Sequence, residues 1–145
     1  MKTLLPAIKT AIQGLSLLVS TSNAFITPHV GWRPEGTGST CIGIHDAGTM
    51  RAELAGNMIE QVSTVDIAAF VPLGADAKDA ITGASGAFAL LDAATDILKR
   101  NRLSISEVQS VEIGKDSQSE LYQASESLWL VRICRQFIYT LERSS

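Results

Sequence analysis

The sequence predicts an α+β domain, in which two helices pack on one face of a mostly antiparallel sheet of four to five strands. Two stretches carry apolar residues at helical spacing, and several others alternate between apolar and polar residues, as half-buried strands do. The predicted order is one helix, three strands, a second helix and one or two final strands. This set of elements fits a single domain over residues 1–145.

The composition is that of an ordinary soluble globular domain, with 46% hydrophobic and 19% charged residues. The net charge of −3 provides no basic field that would indicate nucleic-acid binding. The two cysteines, Cys41 and Cys134, are far apart and form no CxxC pair, so neither a disulfide framework nor a zinc knuckle is indicated. We therefore expect synthesis in a reducing cytoplasm and no cofactor.

The first predicted helix spans residues 3–19 and packs by one apolar stripe. A secretory leader is the alternative, because the stretch has a basic start, an apolar middle and small residues near position 24. Lys9 and Gln13 interrupt the apolar run, which favours the helix, and we expect no segment of the chain to span a membrane. The stripe consists of Leu4, Ile8, Ile12, Leu15 and Val19.

Three strands are predicted before the second helix. The first is AFITPHVGWR, in which Pro28 marks a bend or an edge position, and a turn follows at residues 34–39. A short second strand covers residues 41–44, and a third covers residues 62–73. The stretch TMRAELAGNMIEQ, residues 49–61, is open to two interpretations: a short helix, or a long excursion between strands.

The second predicted helix, residues 75–101, precedes a strand at 108–113 and a turn at 114–119. The last strand, residues 128–142, alternates between apolar and polar residues, and only Arg135 breaks the apolar parity. At about 3.3 Å per residue it would reach about 50 Å, against a radius of gyration of about 15 Å for such a chain. The strand therefore bends or runs past the body, which suits a protein that contacts copies of itself. Its apolar parity consists of Trp129, Val131, Ile133, Phe137, Tyr139 and Leu141.

Residues 46–49, Asp-Ala-Gly-Thr, are similar to the Asp-Thr-Gly turn of aspartic proteases. Ala47 replaces the hydroxyl residue of those enzymes, and a second such turn is missing, so only a dimer would pair two carboxylates. We expect an ordinary turn at this position.

Cys41 and His45 could bind zinc together with His29 and Cys134, or form a nucleophilic set with Asp46. Residues four apart along a strand are well separated, whereas tight ligand pairs usually lie in turns or on helices. We expect Cys41 to be an apolar filler and His45 a residue at the strand end. The sequence therefore predicts no catalytic residue and no metal site.

The order of elements has a counterpart in a known family. A leading helix is followed by a strand with Pro28 and Trp32-Arg33, and then by the short strand CIGIHDAG, which opens a polar excursion. Next come the strand VSTVDIAAFVPL, the long helix ending LKRN, and the final pair VQSVEIG and LWLVRICRQFIYTLE. In this order and residue texture, over about residues 2–141, the chain resembles the tail terminator proteins of long-tailed bacteriophages, also called tail completion proteins.

The resemblance implies a structural subunit without catalytic activity that forms a hexameric ring on the finished tail tube. Such a ring stops tube polymerisation at the head-proximal end and joins the tail to the head or neck connector. The implied partners are further copies of the chain, the tail tube protein, the connector or neck proteins and, in a contractile tail, the sheath. No membrane and no specific nucleic acid are implied. The protein would be made in the host cytoplasm and would lie at the tail–head junction of the virion.

A ring requires heterologous contacts, so each subunit has to expose two different complementary patches. The outer face or edge of the last strand is one candidate, and the excursion at residues 46–61 is another. Methionines suit adaptable contact surfaces, and charges at an interface rim orient partners. Covering the monomer core or facing solvent is the competing interpretation of the same residues. The candidate contact residues are Met50, Arg51, Glu53, Leu54, Met58, Arg132, Arg135 and Tyr139.

Three other functions are compatible with the sequence. A different neck component, such as a stopper or adaptor ring, would use the same kind of interface. A non-viral binding module would be a monomer with a closed apolar pocket between helices and sheet. An enzyme would rely on the cluster of Cys41, His45 and Asp46, and substitution of Cys41 and Asp46 would then abolish turnover.

Overall fold

Six strands and three helices make up the part of the chain that the structure describes. A computed structural model describes residues 2–18, 23–28, 39–74, 77–100, 103 and 105–144. The strands are β1 Ala24–Thr27, β2 Cys41–Leu54, β3 Met58–Pro72, β4 Val108–Asp116, β5 Glu120–Ser125 and β6 Leu128–Ser144. The helices are α1 Leu4–Ile12, α2 Ala77–Thr82 and α3 Ala87–Arg100.

The strands form one sheet in the order β1-β2-β3-β6-β4, and β5 also pairs with β6. β1 runs parallel to β2, and the other pairings are antiparallel. The predicted α+β class with a mostly antiparallel sheet is confirmed, although β5 raises the number of strands above five. Residues 49–61 form a hairpin rather than a helix: residues 49–54 belong to β2, residues 55–57 are a turn, and residues 58–61 belong to β3. The predicted turn at residues 34–39 lies outside the described residues except for Ser39, as do His29 and Trp32-Arg33.

The helices are shorter than the sequence predicts. α1 ends before the predicted position, yet Leu15 and Leu18 beyond it are still buried in the core. The second predicted helix is divided at residues 83–86, where a Cβ on Gly83 would lie 2.5 Å from the Asp79 carbonyl oxygen. Glycine permits this close approach because it has no side chain. The chain turns there, and α3 lies on the sheet as a separate helix.

The stretch Lys78–Arg100 is long and apolar enough by composition to span a membrane, contrary to the prediction from the sequence. In this fold the stretch is interrupted at residues 83–86. Leu90, Leu91 and Leu98 of α3 are fully buried in the core that the helices share with the sheet. An apolar helix of 14 residues is typical of a buried core helix, so we assign α3 to the core.

One large core fills the space between the helices and one face of the sheet. The alternation predicted for the last strand is confirmed, since every second side chain from Val131 to Leu141 is buried on this helix-covered face. Full burial of a large apolar side chain contributes about 1.5–3 kcal/mol relative to exposure. The helix-covered face is therefore the main source of hydrophobic stabilisation.

Arg135 belongs to the buried parity of β6. Its guanidinium donates to both carboxylate oxygens of Asp116, at 2.8 and 3.1 Å, to Asp92 at 2.8 Å and to the Thr95 hydroxyl at 3.0 Å. The bonds to Asp116 are the main reason why the pKa of Arg135 is raised above its usual value. Because four of its five N–H donors have acceptors, the arginine is accommodated in the core and ties α3 and β4 to β6.

We expect Arg135→Met to lower the free energy of unfolding by about 1–3 kcal/mol, because the half-buried Asp116 carboxylate would lose its partner. Urea denaturation of the purified protein measures this loss. Asp92→Asn is the matched control: its side chain is largely exposed, so we expect a loss below about 1 kcal/mol. Equal stability of Arg135→Met and the unchanged protein would contradict the structural role of the network.

Candidate functional site

β2 and β3 form a hairpin over residues 49–61, which we call the arm, and the end of β6, residues 141–144, runs beside its β3 strand. From Met50 onward every side chain of β2 is exposed. The arm turns at Gly56 and Asn57, which have φ values of +76° and +62°. Glycine adopts positive φ without strain and asparagine tolerates it, so these two residues suit the tight turn. The stretch that the sequence leaves ambiguous is therefore a β-hairpin.

A bulge at residues 46–49 joins the arm to the body. The Gly48 N–H donates to the Asp46 carboxylate at 2.8 Å, and Gly48 has a φ of +115°. The register of β2 against β3 shifts there, so the helix-side residues of β2 are even-numbered before the bulge and odd-numbered after it. The Asp-Ala-Gly-Thr sequence is thus a β-bulge inside β2 rather than the ordinary turn that the sequence predicts.

The two faces of the arm differ in chemistry. Its outer face continues the sheet face away from the helices and carries Met50, which is 77% exposed, and the exposed Leu54. Its inner face carries the exposed Arg51 and Glu53. Exposed large apolar residues that cluster on one surface often mark an interaction site. The arm is therefore the first candidate contact surface.

Most of the predicted contact residues lie on the arm. Met50, Arg51, Glu53 and Leu54 are exposed there, and Met58 is half-buried at the start of β3. The structure brings these five residues together because they occupy paired strands of one hairpin.

Arg132 lies apart from the arm, on the outer face of β6. It is half-buried and forms an ion pair with the exposed Glu120 of β5, the strand opposite. The pair holds the Arg132 guanidinium against β5, which leaves less of its charge available to a partner.

Arg135 and Tyr139 face the helices instead of solvent. Arg135 is 8% exposed and Tyr139 is 0% exposed, so neither offers a surface to a partner in this fold. We therefore exclude both from the contact surface. Burial raises the pKa of Tyr139, and its hydroxyl has no hydrogen-bond partner among the described residues. Both residues share the parity of the buried apolar residues of β6, and this signal is present in the sequence.

A cleft of about 600 Å³ lies where the arm meets the start of α1. Lys2, Arg51 and Arg143 line it, and none of the three forms an ion pair with a described residue. Gln61, which is 5% exposed, forms part of its wall, and Glu107 is the one carboxylate among its described lining residues. We call this site the basic cleft. Its three cations are far apart in the sequence, which is why the sequence pattern alone does not reveal it.

The other end of β6 carries a second exposed surface, the hairpin of β5 and β6. Leu121 and Trp129 lie on its helix-side face and are 64% and 41% exposed, and the exposed Glu126 lies in its turn. We call these three residues the β5–β6 tip. The parity of β6 predicts burial of Trp129, and that prediction is wrong. Parity decides which face a side chain takes, but not whether a helix covers that part of the face.

A polar groove of about 500 Å³ lies on the outer face of the sheet and is lined in part by Asp66 and Cys134. Burial raises the pKa of Asp66, and the nearby His45 partly offsets this effect. Burial also raises the pKa of the Cys134 thiol. Such a thiol stays protonated at neutral pH and is a poor nucleophile. The groove therefore offers polar surface rather than an activated cysteine.

Cys41, His45 and Asp46 do not form an accessible reactive set. Cys41 is fully buried in a second apolar cluster with Phe25 and Phe70, which confirms the prediction of an apolar filler. Asp46 is exposed and accepts the bond that closes the bulge. Within the described ranges, no three His, Cys, Asp or Glu side chains are placed to hold a metal ion.

The fold has a counterpart among solved structures. It is similar to a chain from the virion of a native gene transfer agent (GTA) particle, with a TM-score of 0.64 and 16% sequence identity. The match covers 97% of this chain and 95% of that chain. No protein-family model matches the chain, and no curated protein matches it. At this identity the similarity shows a shared fold, which extends over almost the whole of both chains.

We expect the Cys134 thiol to react slowly with an aromatic disulfide reagent at neutral pH. Its reaction rate should rise only at pH values above those at which an ordinary cysteine ionises, because burial raises its pKa and lowers the thiolate fraction. Absorbance kinetics over a pH series measure this, and Cys134→Ser, which retains only the buried Cys41, is the control. A neutral-pH rate equal to that of an exposed thiol would contradict the expectation.

Proposed function

We propose that this chain is a tail terminator subunit. It forms a hexameric ring at the head-proximal end of a tail tube, stops polymerisation of the tube and joins the tail to the head or neck connector. Two findings support this proposal. The order of its predicted helices and strands, and the residues along them, resemble the tail terminator family. Its fold is similar, over nearly the whole chain, to a chain of a GTA virion.

The arm is the observation that carries the proposal. β2 and β3 are 14 and 15 residues long, and the part beyond the bulge leaves the β2 side chains exposed. Among the described residues, β2 pairs only with β3 in this part, so its other edge is open to a further partner. An open strand edge with the exposed Met50 and Leu54 on one face therefore gains stability when a partner covers it. A ring on a tube supplies such partners, in the neighbouring subunits and in the tube itself.

A stopper or adaptor ring elsewhere in the neck is the second candidate. The similarity to a virion chain supports this function as well, because both kinds of ring are virion components. The two candidates differ in what they bind. A terminator assembles on tail tubes, whereas a stopper or adaptor assembles on the head-side connector.

We expect the purified protein to be a hexamer, or a monomer that forms a ring only when tail tubes of the same virus are added. Native mass spectrometry and light scattering, with and without tubes, measure this. Assembly on head-side connectors but not on tubes would favour the stopper or adaptor function. A monomer indifferent to both would contradict the assignment to the neck.

We expect Met50→Glu to weaken ring assembly at least about tenfold, because the interface would bury a carboxylate without a partner. Met50→Leu keeps the side chain apolar and should assemble like the unchanged protein. Since Met50 is 77% exposed, both variants should keep the thermal unfolding midpoint of the parent. Light scattering with tubes measures assembly, and unimpaired assembly of Met50→Glu would remove the outer face of the arm from the interface.

A further inference from the structure

The basic cleft and the β5–β6 tip lie at opposite ends of β6, and each holds charge that the monomer does not neutralise. We propose that they bind each other between copies of this chain, the tip of one subunit entering the basic cleft of the next. The inference rests on the proposed function, because it names the two surfaces through which the ring closes.

Charge complementarity is the first support. Lys2, Arg51 and Arg143 converge on the cleft without forming an ion pair in the described part of the chain. At the tip, the exposed Glu126 also forms no ion pair with a described residue, whereas the nearby Glu120 is already paired with Arg132. Arginine guanidinium groups bind carboxylates through two parallel hydrogen bonds, so Glu126 is a suitable occupant of the cleft.

Apolar surface beside the charges is the second support. Leu121 and Trp129 lie on the same hairpin as Glu126, and both are exposed. In the cleft, the half-buried Ile105 lies among the lining residues. Interfaces typically combine a few aromatic and arginine anchors with apolar surface that excludes water. Each end of β6 thus offers both components, with charges of opposite sign.

The distance along β6 requires that the contact joins different copies. β6 stays in continuous register with β3 from Leu130 to Ser144. At about 3.3 Å per residue, Trp129 and Arg143 are roughly 45 Å apart, so a subunit cannot place its own tip in its own cleft. A contact between two different surfaces is heterologous, and repeated head to tail it closes a ring.

A protein carboxylate fits the cleft better than a nucleic-acid phosphate backbone does. Glu107 lies in the lining of the cleft, and the exposed Glu53 lies on the same face of the arm as Arg51. These carboxylates would repel a polyanion, and the whole protein carries a net charge of −3. A single carboxylate on an apolar tip meets less repulsion. We therefore name a second copy of the chain as the occupant.

The test is a charge exchange between copies. Variant one is Glu126→Lys, and variant two combines Arg51→Glu with Arg143→Glu. Each variant alone should assemble at least about tenfold less well than the unchanged protein, because like charges meet at every interface. An equal mixture should regain assembly, because each altered tip then meets an altered cleft and each native tip meets a native cleft. Alternation of the two variants also requires an even number of subunits, which native mass spectrometry measures directly.

Asp96→Lys is the matched control, a charge reversal at an exposed position of α3 away from both ends, and it should assemble normally. Regained assembly in the mixture would also show that both variants fold. Normal assembly of either variant alone would overturn the inference, and so would a mixture that fails to assemble. In both cases, binding of the unchanged protein to tail tubes would leave the proposed function standing. A fluorescence titration with nucleic acid tests the other possible occupant of the cleft. If nucleic acid binds the unchanged protein and this binding is lost in variant two, the inference is also overturned.

Discussion

The antiparallel ladder between β3 and β6 is the interaction on which the rest of the structure depends. It runs without a register shift from Met58 opposite Ser144 to Pro72 opposite Leu130. β2 adds to one side of this ladder, and β4 and β5 add to the other. The arm extends one end of the ladder and the β5–β6 tip lies at the other. The ladder therefore holds the two candidate contact surfaces at a fixed separation, which a ring with a defined diameter requires.

Register within this ladder is fixed by burial and by one charge. A slip of a single residue would turn every β6 side chain to the opposite face. Phe137 would then leave the core, and the Arg135 guanidinium would lose the carboxylates of Asp116 and Asp92. The paired Arg135 and the buried apolar residues of β6 thus favour the same register. The Arg135 guanidinium also fixes how α3 and β4 lie on the sheet, because it binds Asp92 of α3 and Asp116 of β4. The basic cleft and the β5–β6 tip are therefore attached to a rigid domain body.

How far the sequence predicts the structure depends on burial. Where one face of a strand is covered, as in β6, alternation alone identifies the buried residues, Arg135 and Tyr139 included. The β2 strand of the arm has no buried side chain, so its pattern does not distinguish strand from helix, and the bulge at residues 46–49 reverses the alternation. The basic cleft joins Lys2, Arg51 and Arg143 from three distant parts of the chain, and only the fold brings them together. The glycines at 83–86 interrupt a helix whose apolar spacing is otherwise continuous.

Electron cryomicroscopy of tail tubes incubated with this protein tests the proposed function most directly. We predict a sixfold ring at one end of each tube, with no further growth of capped tubes when tube protein is added. In that ring, the arm should contact either the tube or a neighbouring subunit. Tubes whose ends stay bare and continue to lengthen in the presence of the protein would contradict the terminator function.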